Sequence, residues 1–568
     1  MAMNRREFIQ LLGVASSISG FSQTLLANPS SLYDVQKLGN TRLLHFTDCH
    51  AQLLPIYYRE PNVNIGVGDS FAKPPHLVGE AFLDYFNLTD NARLAHAFTY
   101  LDYQQATQTY GKVGGFAHLA TLIKKLRTEA GQNRSLLLDG GDTWQGSWTA
   151  YKTQGNDMVE ACNLLGVDVM TGHWEFTYQD KQTLKNIENF NGDFVAQNIF
   201  ATEEALFEGT HVYNEESGRV FPPYVIKPLA DSRVAIIGQA FPYTPVANPK
   251  RFIPDWTFGI NQQELQELVD SIRTQHKPDI VILLSHNGAD VDIKMASKVT
   301  GIDVILGGHT HDAIPQALKI KNSQGITLVT NAGSHGKYLG VMDLDIKQGK
   351  IRDYQYRLLP IFSNLIDADK EMLAYIDSVR SPHLDFLDQE LGVAETTLFR
   401  RGNFNGTFDQ LICNALLEEN DAQISLSPGF RWGTTIPADQ RITMERVLDQ
   451  TCMTYPETYR REISGKNLKL ILEDVCDNLF NPNPYYQQGG DMVRVGGMNY
   501  TCKPNEVIGN RISEMTLDNG KNIEDSKNYV VAGWATVSEI APGPPVWQQV
   551  ANYLSKHKTV SINKLNSP

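Results

Sequence analysis

The chain has 568 residues, 42% of them hydrophobic and 20% charged, which is ordinary for a globular protein but too long for a single core. A formal charge of −14 excludes a general nucleic-acid binder, because neutralising phosphates needs a basic surface. An anionic substrate stays open and would need cations placed locally.

The first feature along the chain is Asn4-Arg5-Arg6-Glu7-Phe8-Ile9, followed by the apolar run Leu11-Leu12-Gly13-Val14-Ala15. That run is too short to cross the roughly 30 Å of a bilayer as a helix. Residues 1–30 therefore read as a twin-arginine (Tat) signal for export of a folded protein to the periplasm, with a basic amphipathic N-terminus as the bland alternative. No later stretch is long and apolar enough to serve as a membrane anchor. Cys49, Cys162, Cys413, Cys452, Cys476 and Cys502 allow 15 full pairings, so connectivity is not legible. The last three share one region and could supply a bridge. No CxxC occurs to support a redox motif or a zinc ribbon.

From 31 to 365, short apolar runs repeatedly end in chemically capable residues. Leu43-Leu44-His45-Phe46 leads into Thr47-Asp48, and Ser135-Leu136-Leu137-Leu138 into Asp139-Gly140-Gly141-Asp142. Ile280–Leu284 leads into Ser285-His286, and Val304-Ile305-Leu306 into Gly307-Gly308-His309. Helical patterns such as Ala117–Thr128 and Gln262–Arg273 lie between them. Apolar strands alternating with helices predict an α/β domain with buried strands, and in such folds sites gather at the carboxyl ends of the strands. Residues 55–105 form an aromatic-rich insertion, read as a packed cap near the site rather than a cofactor box. Residues 366–391 read as a helical connector, and 392–568 as a second domain without further Asp/His clusters.

Asp48-Cys49-His50 places a carboxylate and an imidazole two residues apart, which on extended backbone puts both on one side. Asp142 offers a second carboxylate beside glycines, His286 another imidazole, and His309-Thr310-His311 repeats the two-residue spacing. Each pair alone is weak, since an isolated Asp-x-His is more often a capped loop. Together, at successive strand ends, they point to a two-ion site.

The order Asp-x-His, Gly-Asp, Gly-His-x-Glu, His, Gly-His-x-His resembles the metallophosphoesterase pattern, and the whole chain resembles the two-domain 5′-nucleotidase family. The resemblance implies a layered α/β/β/α sandwich with a C-terminal 5′-nucleotidase-like α+β domain. It also implies Asp142 as a bridging ligand, one ion on Asp48, His50 and His311, and another on His173, His286 and His309. Two divalent ions about 3.5–4 Å apart activate a shared water. The mixed nitrogen and oxygen donors suit Mn²⁺, favoured by metal loading before export, and also Zn²⁺.

The departure from that pattern is informative. Where nucleotidases read Gly-Asn-His-Glu-Phe-Asp, this chain reads Gly172-His173-Trp174-Glu175-Phe176-Thr177. His173 takes the metal-binding Asn slot, Trp174 the catalytic His slot and Thr177 that of its supporting Asp. A shifted frame would keep His173 as the catalytic His, but it breaks the ungapped match at Glu175-Phe176. No general acid is therefore assigned. A sulfur leaving group, with a pKa nearer the thiol value of about 8.5, needs less help than an alkoxide. The Trp174 variant, the twin-arginine signal and the aromatic insertion resemble the thiosulfohydrolase family of the Sox sulfur-oxidation system. That resemblance implies sulfate release from a cysteine S-thiosulfonate presented on a flexible tail of the carrier protein SoxYZ.

Arg431, Arg494, Asp491 and Trp174 are the candidate substrate contacts, with a structural salt bridge as the alternative for the two arginines and Asp491. His335 and His45 read as structural, Asp139 as support for the turn before Asp142, and Trp144 and Trp148 as cleft lining or packing. Competing readings are a periplasmic 5′-nucleotidase, stacking a base on Phe430, Trp432, Tyr485 or Tyr486, and a binding protein with a degenerate metal site.

Overall fold

The structure is a computed structural model and describes residues 29–568 apart from residue 211, so the signal region, residues 1–30, lies almost wholly outside it. Among the described residues no helix is long and apolar enough to cross a membrane.

The runs that read as buried strands form Thr41–Phe46, Ser135–Asp139, Ile280–Ser285 and Val304–Gly307. They lie in two six-stranded mixed sheets. The first sheet holds Thr41–Phe46 between the parallel Ser135–Asp139, with Leu43 opposite Leu136, and the antiparallel Tyr338–Lys347. In the second, Val304–Gly307 lies parallel to both Ile280–Ser285 and Ile326–Asn331. Leu43, Leu136, Ile282, Leu306 and Met342 pack in one apolar layer fed by both sheets. Helix Phe116–Ala130 contributes to the core on the other face of the first sheet, and Gln262–Gln275 to that of the second. Both faces of the central strands are covered, so they read as apolar runs without alternation.

The insertion folds as three short helices, Gly79–Phe86, Ala92–Phe98 and Tyr103–Tyr110. Phe98 stacks on Tyr338 and on Phe82, tying it to the first sheet, while Phe71 and Tyr85 face solvent. The connector contains helix Lys370–Arg380, N-capped by Asp369, whose carboxylate accepts from the Met372 N–H. The following α+β part has helices Thr407–Glu419, Gly465–Phe480 and Val546–His557 against sheets of two, three and four strands. Its last strand, Thr559–Val560, pairs in parallel with Glu390–Ala394.

Candidate metal centre and cleft

All seven sequence-predicted ligand residues lie together at the strand ends, where they form two buried groups. Asp142, His173, His286 and His309 make one, and Asp48, His50, Asp142 and His311 the other, with ligand atoms within 4.8 Å of one another in each. Asp142 belongs to both. Its Oδ2 lies 3.1 Å from His286 Nε2, 3.2 Å from His173 Nδ1 and 3.9 Å from His50 Nε2.

The backbone route differs from the extended one expected. Asp48 and His50 take left-handed conformations, φ 52° and 46°, as do Asp142, His309 and His311. The chain turns sharply after each strand, and the Asp48 and His50 N–H groups donate to the carbonyls of Gly141 and Asp142. Non-glycine residues at positive φ cost of order 1–3 kcal/mol each, and such strain concentrates at functional sites. Gly308 is needed for close approach, because a Cβ there would lie 2.4 Å from Thr47 Oγ1 and 3.0 Å from Asp48 Oδ2.

The donors fit a pair of divalent ions. His50 Nε2 and His311 Nε2 face each other at 3.0 Å, and neither ring nitrogen of buried His309 has a hydrogen-bond partner among the described residues. Burial lowers His50 to about 4 and holds His309 and His311 well below the usual imidazole range, so these rings are neutral, the form that ligates. At His286 burial also favours the neutral ring, but the Asp142 and Asp48 charges outweigh it and raise the group to about 10. A divalent cation would compete with that proton. His286 Nδ1 is held by the Gly140 carbonyl at 2.6 Å, the kind of contact that orients a ligating imidazole.

Glu175, which in the sequence serves only to fix the motif's frame, holds the centre together. Its buried carboxylate accepts from the N–H groups of Asp142, Thr143, Trp144 and His173 at 2.8–3.2 Å. Asp139 supports the same turn through the Gly141 N–H and the Thr143 hydroxyl. Arg401, from the second domain, was missed altogether by sequence reasoning. Its guanidinium donates to the His311 and Thr310 carbonyls at 3.2 and 3.3 Å, fixing the ligand loop from behind.

Trp174 is buried and lines a cavity of about 170 Å³ that also meets His50, His173, Phe430, Arg431 and Trp432. Its N–H donates to Asp142 Oδ1 at 2.7 Å, while its ring lies edge-on to Phe430 and Trp432 and packs with the second domain's core. Thr177 bonds Thr454 across the domain seam at 2.6 Å. Arg431 reaches the same cavity; Nη2 donates to the Gly490 carbonyl, Nε lies 3.4 Å from Asp491, and Nη1 has no partner among the described residues.

Two expected substrate contacts sit differently. Arg494 is fully buried, donating to the Gly402 carbonyl and to Asp491, so it cannot itself touch a ligand in the cleft. Asp491 is buried between Arg431 and Arg494 and orients them. Asp491 and Arg494 are thus a support for Arg431, because the three charged groups pair with one another in a chain. Trp144 packs on Phe190 and Phe194, and Trp148 on Tyr151 and Phe386, so neither lines that cavity. His335 accepts the Gly433 N–H at 3.1 Å, a structural link between domains. His45 is a buried core ring that burial lowers to about 3.

Residues 390–544 match the family model described as the 5′-nucleotidase C-terminal domain. The chain is 26% identical over 446 residues to bovine 5′-nucleotidase, covering 71% of this chain and 73% of that protein. It is 25% identical over 478 residues to the trifunctional nucleotide phosphoesterase YfkN of Bacillus subtilis, spanning 76% of this chain but only 32% of YfkN. Among solved structures it superposes on the sulfate thiohydrolase SoxB of Thermus thermophilus, in complex with glycerol, with a TM-score of 0.87 and 32% identity, covering 94% of this chain and 97% of that one. A 5′-nucleotidase precursor, also from Thermus thermophilus, shares the fold, with a TM-score of 0.72 at 19% identity over 93% of this chain and 98% of that one. Fold and site define a hydrolase of the 5′-nucleotidase and metallophosphoesterase type, with buried His/Asp groups that could hold two metal ions. Within that class, the chain belongs to the SoxB family.

Proposed function

We propose that this chain hydrolyses a cysteine S-thiosulfonate carried on a protein partner, the SoxYZ carrier, and releases sulfate. The occupant of the catalytic-histidine position carries the reading: Trp174 keeps its backbone bond to Asp142 but offers no proton, and Thr177 is bonded to Thr454. The likeness to the sulfate thiohydrolase SoxB supports it.

The seven residues would hold two divalent ions, Mn²⁺ by our reading, and such ions when bound supply Lewis acidity and an acidified water. The chain's own residues do the rest. Asp142 spans both groups, and Glu175 sets its backbone. Arg431 lines the cavity and keeps Nη1 without a partner among the described residues, so its guanidinium is the group we assign to a sulfonate oxygen. Trp174, Phe430 and Trp432 wall the cavity. Water's oxygen bonds the sulfonate sulfur, the sulfur–sulfur bond breaks, and the sulfane sulfur leaves with the electron pair on the carrier cysteine. Its low pKa makes a proton donor at position 174 dispensable. The twin-arginine motif places this reaction in the periplasm on our reading.

The competing reading is nucleotide hydrolysis, in which aromatics of the second domain would take the base. Phe430 and Trp432 instead stack on each other with centroids 4.1 Å apart, leaving no slot between them, and Tyr485 is turned to Gln262. The metal-loaded protein should be offered a thiosulfonate-conjugated carrier cysteine and, separately, nucleoside monophosphates. Sulfate release from the first is expected; rapid phosphate release without sulfate would sink the proposal.

A further inference from the structure

The segment between Cys476 and Cys502 carries the wall of the cleft. It leaves helix Gly465–Phe480, passes Gly489 directly over His309, supplies Asp491 to Arg431, and returns through strand Met498–Cys502. At its two ends the thiols meet, with Sγ atoms 3.6 Å apart. Other thiols face other groups: Cys162 lies 4.0 Å from an Asp139 oxygen, and Cys452 lies 3.6 Å from the Ser147 carbonyl and in a different apolar cluster from Cys476.

The helix and the returning hairpin are already locked beside the thiols. Glu473 accepts the N–H groups of Gly509 and Ile512, and Asp477 pairs with Arg511. Ile512 is the strand partner of Cys502, so the sulfurs are held in register by neighbours. Bridging them brings the sulfurs from 3.6 Å to the bonded distance of about 2.05 Å.

We propose that Cys476 and Cys502 are a redox modification site, forming a disulfide that ties both ends of the cleft-lining segment. Half-buried Cys502 is the sulfur an oxidant can reach, whereas Cys476 is buried. A hydrogen bond from Cys476 also favours the Cys502 thiolate. The oxidant is a protein or small-molecule disulfide. Cys502 attacks one of its sulfurs, forming a mixed disulfide and expelling one thiol. Cys476 then attacks Cys502 Sγ, the intramolecular bond forms, and the second thiol leaves. Two cysteine thiols lose two electrons and two protons, which the oxidant carries away as two thiols. The proposal is independent of the substrate assigned above.

The test uses the full metal-loaded chain equilibrated in buffers of graded oxidised to reduced glutathione, then acid-quenched, alkylated and digested with trypsin. The expected product is peptide 470–494 joined to peptide 495–511, the Lys503-Pro504 bond resisting cleavage. Thermolysin should cut within 481–493 at least threefold faster after reduction, and Cys502→Ser should match the reduced rate without reductant while keeping its circular dichroism. Alkylation of both thiols in the most oxidising buffer, or only separate glutathione adducts, would overturn the disulfide. A disulfide that leaves the cleavage rate unchanged would overturn the tying role.

Discussion

Glu175 offers the sharpest test of how the metal centre is built, through Glu175→Gln. Oε1 accepts from the Thr143 and Trp144 N–H groups at 2.8 and 3.2 Å, and Oε2 from those of His173 and Asp142 at 2.8 and 3.2 Å. Glutamine has the same shape but one acceptor oxygen, so its amide nitrogen must face two N–H donors. Each buried donor left unpaired costs about 1–3 kcal/mol, giving roughly 2–6 kcal/mol for the pair. Either pair of orphans includes a backbone flanking or belonging to a candidate ligand, Asp142 or His173. The cost is therefore expected to appear at the centre as well as in global stability, with metal affinity falling about 10–100-fold, the usual range for groups that orient ligands. Isothermal titration with Mn²⁺ and thermal unfolding of the metal-free protein separate the two effects. Unchanged affinity together with an unchanged melting temperature would show that the carboxylate clamp does not hold the turn, and would refute the reasoning.

Other changes test the cleft. A Cβ on Gly489 would lie 1.9 Å from His309 Nε2 at a backbone φ of +75°, so Gly489→Ala should weaken binding of one Mn²⁺ at least tenfold by titration; two intact sites would contradict the close approach. Arg431→Lys should lower kcat/KM for sulfate release about 10–100-fold, since a lysine loses the planar fork that bonds Gly490 while leaving a second N–H unpartnered beside the cavity it lines. Trp174→His should bring no gain in sulfate release, and a tenfold gain would show that a proton-bearing group had been missing. His76 in the insertion bonds Asp290 at 2.7 Å; burial lowers its pKa, but the Asp290 hydrogen bond and charge outweigh this and raise it. Its contribution is fully present below the unfolded value near 6.5 and is lost as pH rises through the folded value, so His76→Gln should lower the melting temperature more at about pH 6 than at about pH 9. An equal loss at both would remove the charge from the explanation.

The sequence made the seven His/Asp positions legible because each follows an apolar run that becomes a strand, and strand ends converge in this fold. It did not disclose the left-handed turns at Asp48 and His50, since glycine is the usual marker of positive φ and neither position has one. Nor could spacing reveal Arg401, which reaches the His311 loop only after the second domain docks. Arg494 looked like an anion site because it sits among glycines. Those glycines instead let its strand pack closely: a Cβ on Gly496 would lie 2.4 Å from Ser425 Oγ, and Arg494 spends its donors inward. Glu175 did carry a signal, as an acidic residue two places after a ligand in a glycine-led turn.

At position 174 the structure separates what the metal site takes from the main chain and what the second domain takes from the side chain. What the centre requires there is a main-chain N–H, and the bond to Asp142 Oδ1 does not depend on the side chain. The indole is instead bound into the second domain, against Phe430, Trp432 and Tyr455, where a histidine would leave apolar surface unfilled. Its bulk and its lack of an ionisable proton are thus two consequences of one replacement. The first forms an aromatic wall of the cavity that Arg431 also lines, and the second is the feature our proposal ties to a sulfur leaving group. Thr177 is consistent with this, because a carboxylate there would have no imidazole to orient and would face the Thr454 hydroxyl at the seam. The metal residues define the class of hydrolase, and Trp174, packed into the second domain, is the residue on which our proposal for the leaving group rests.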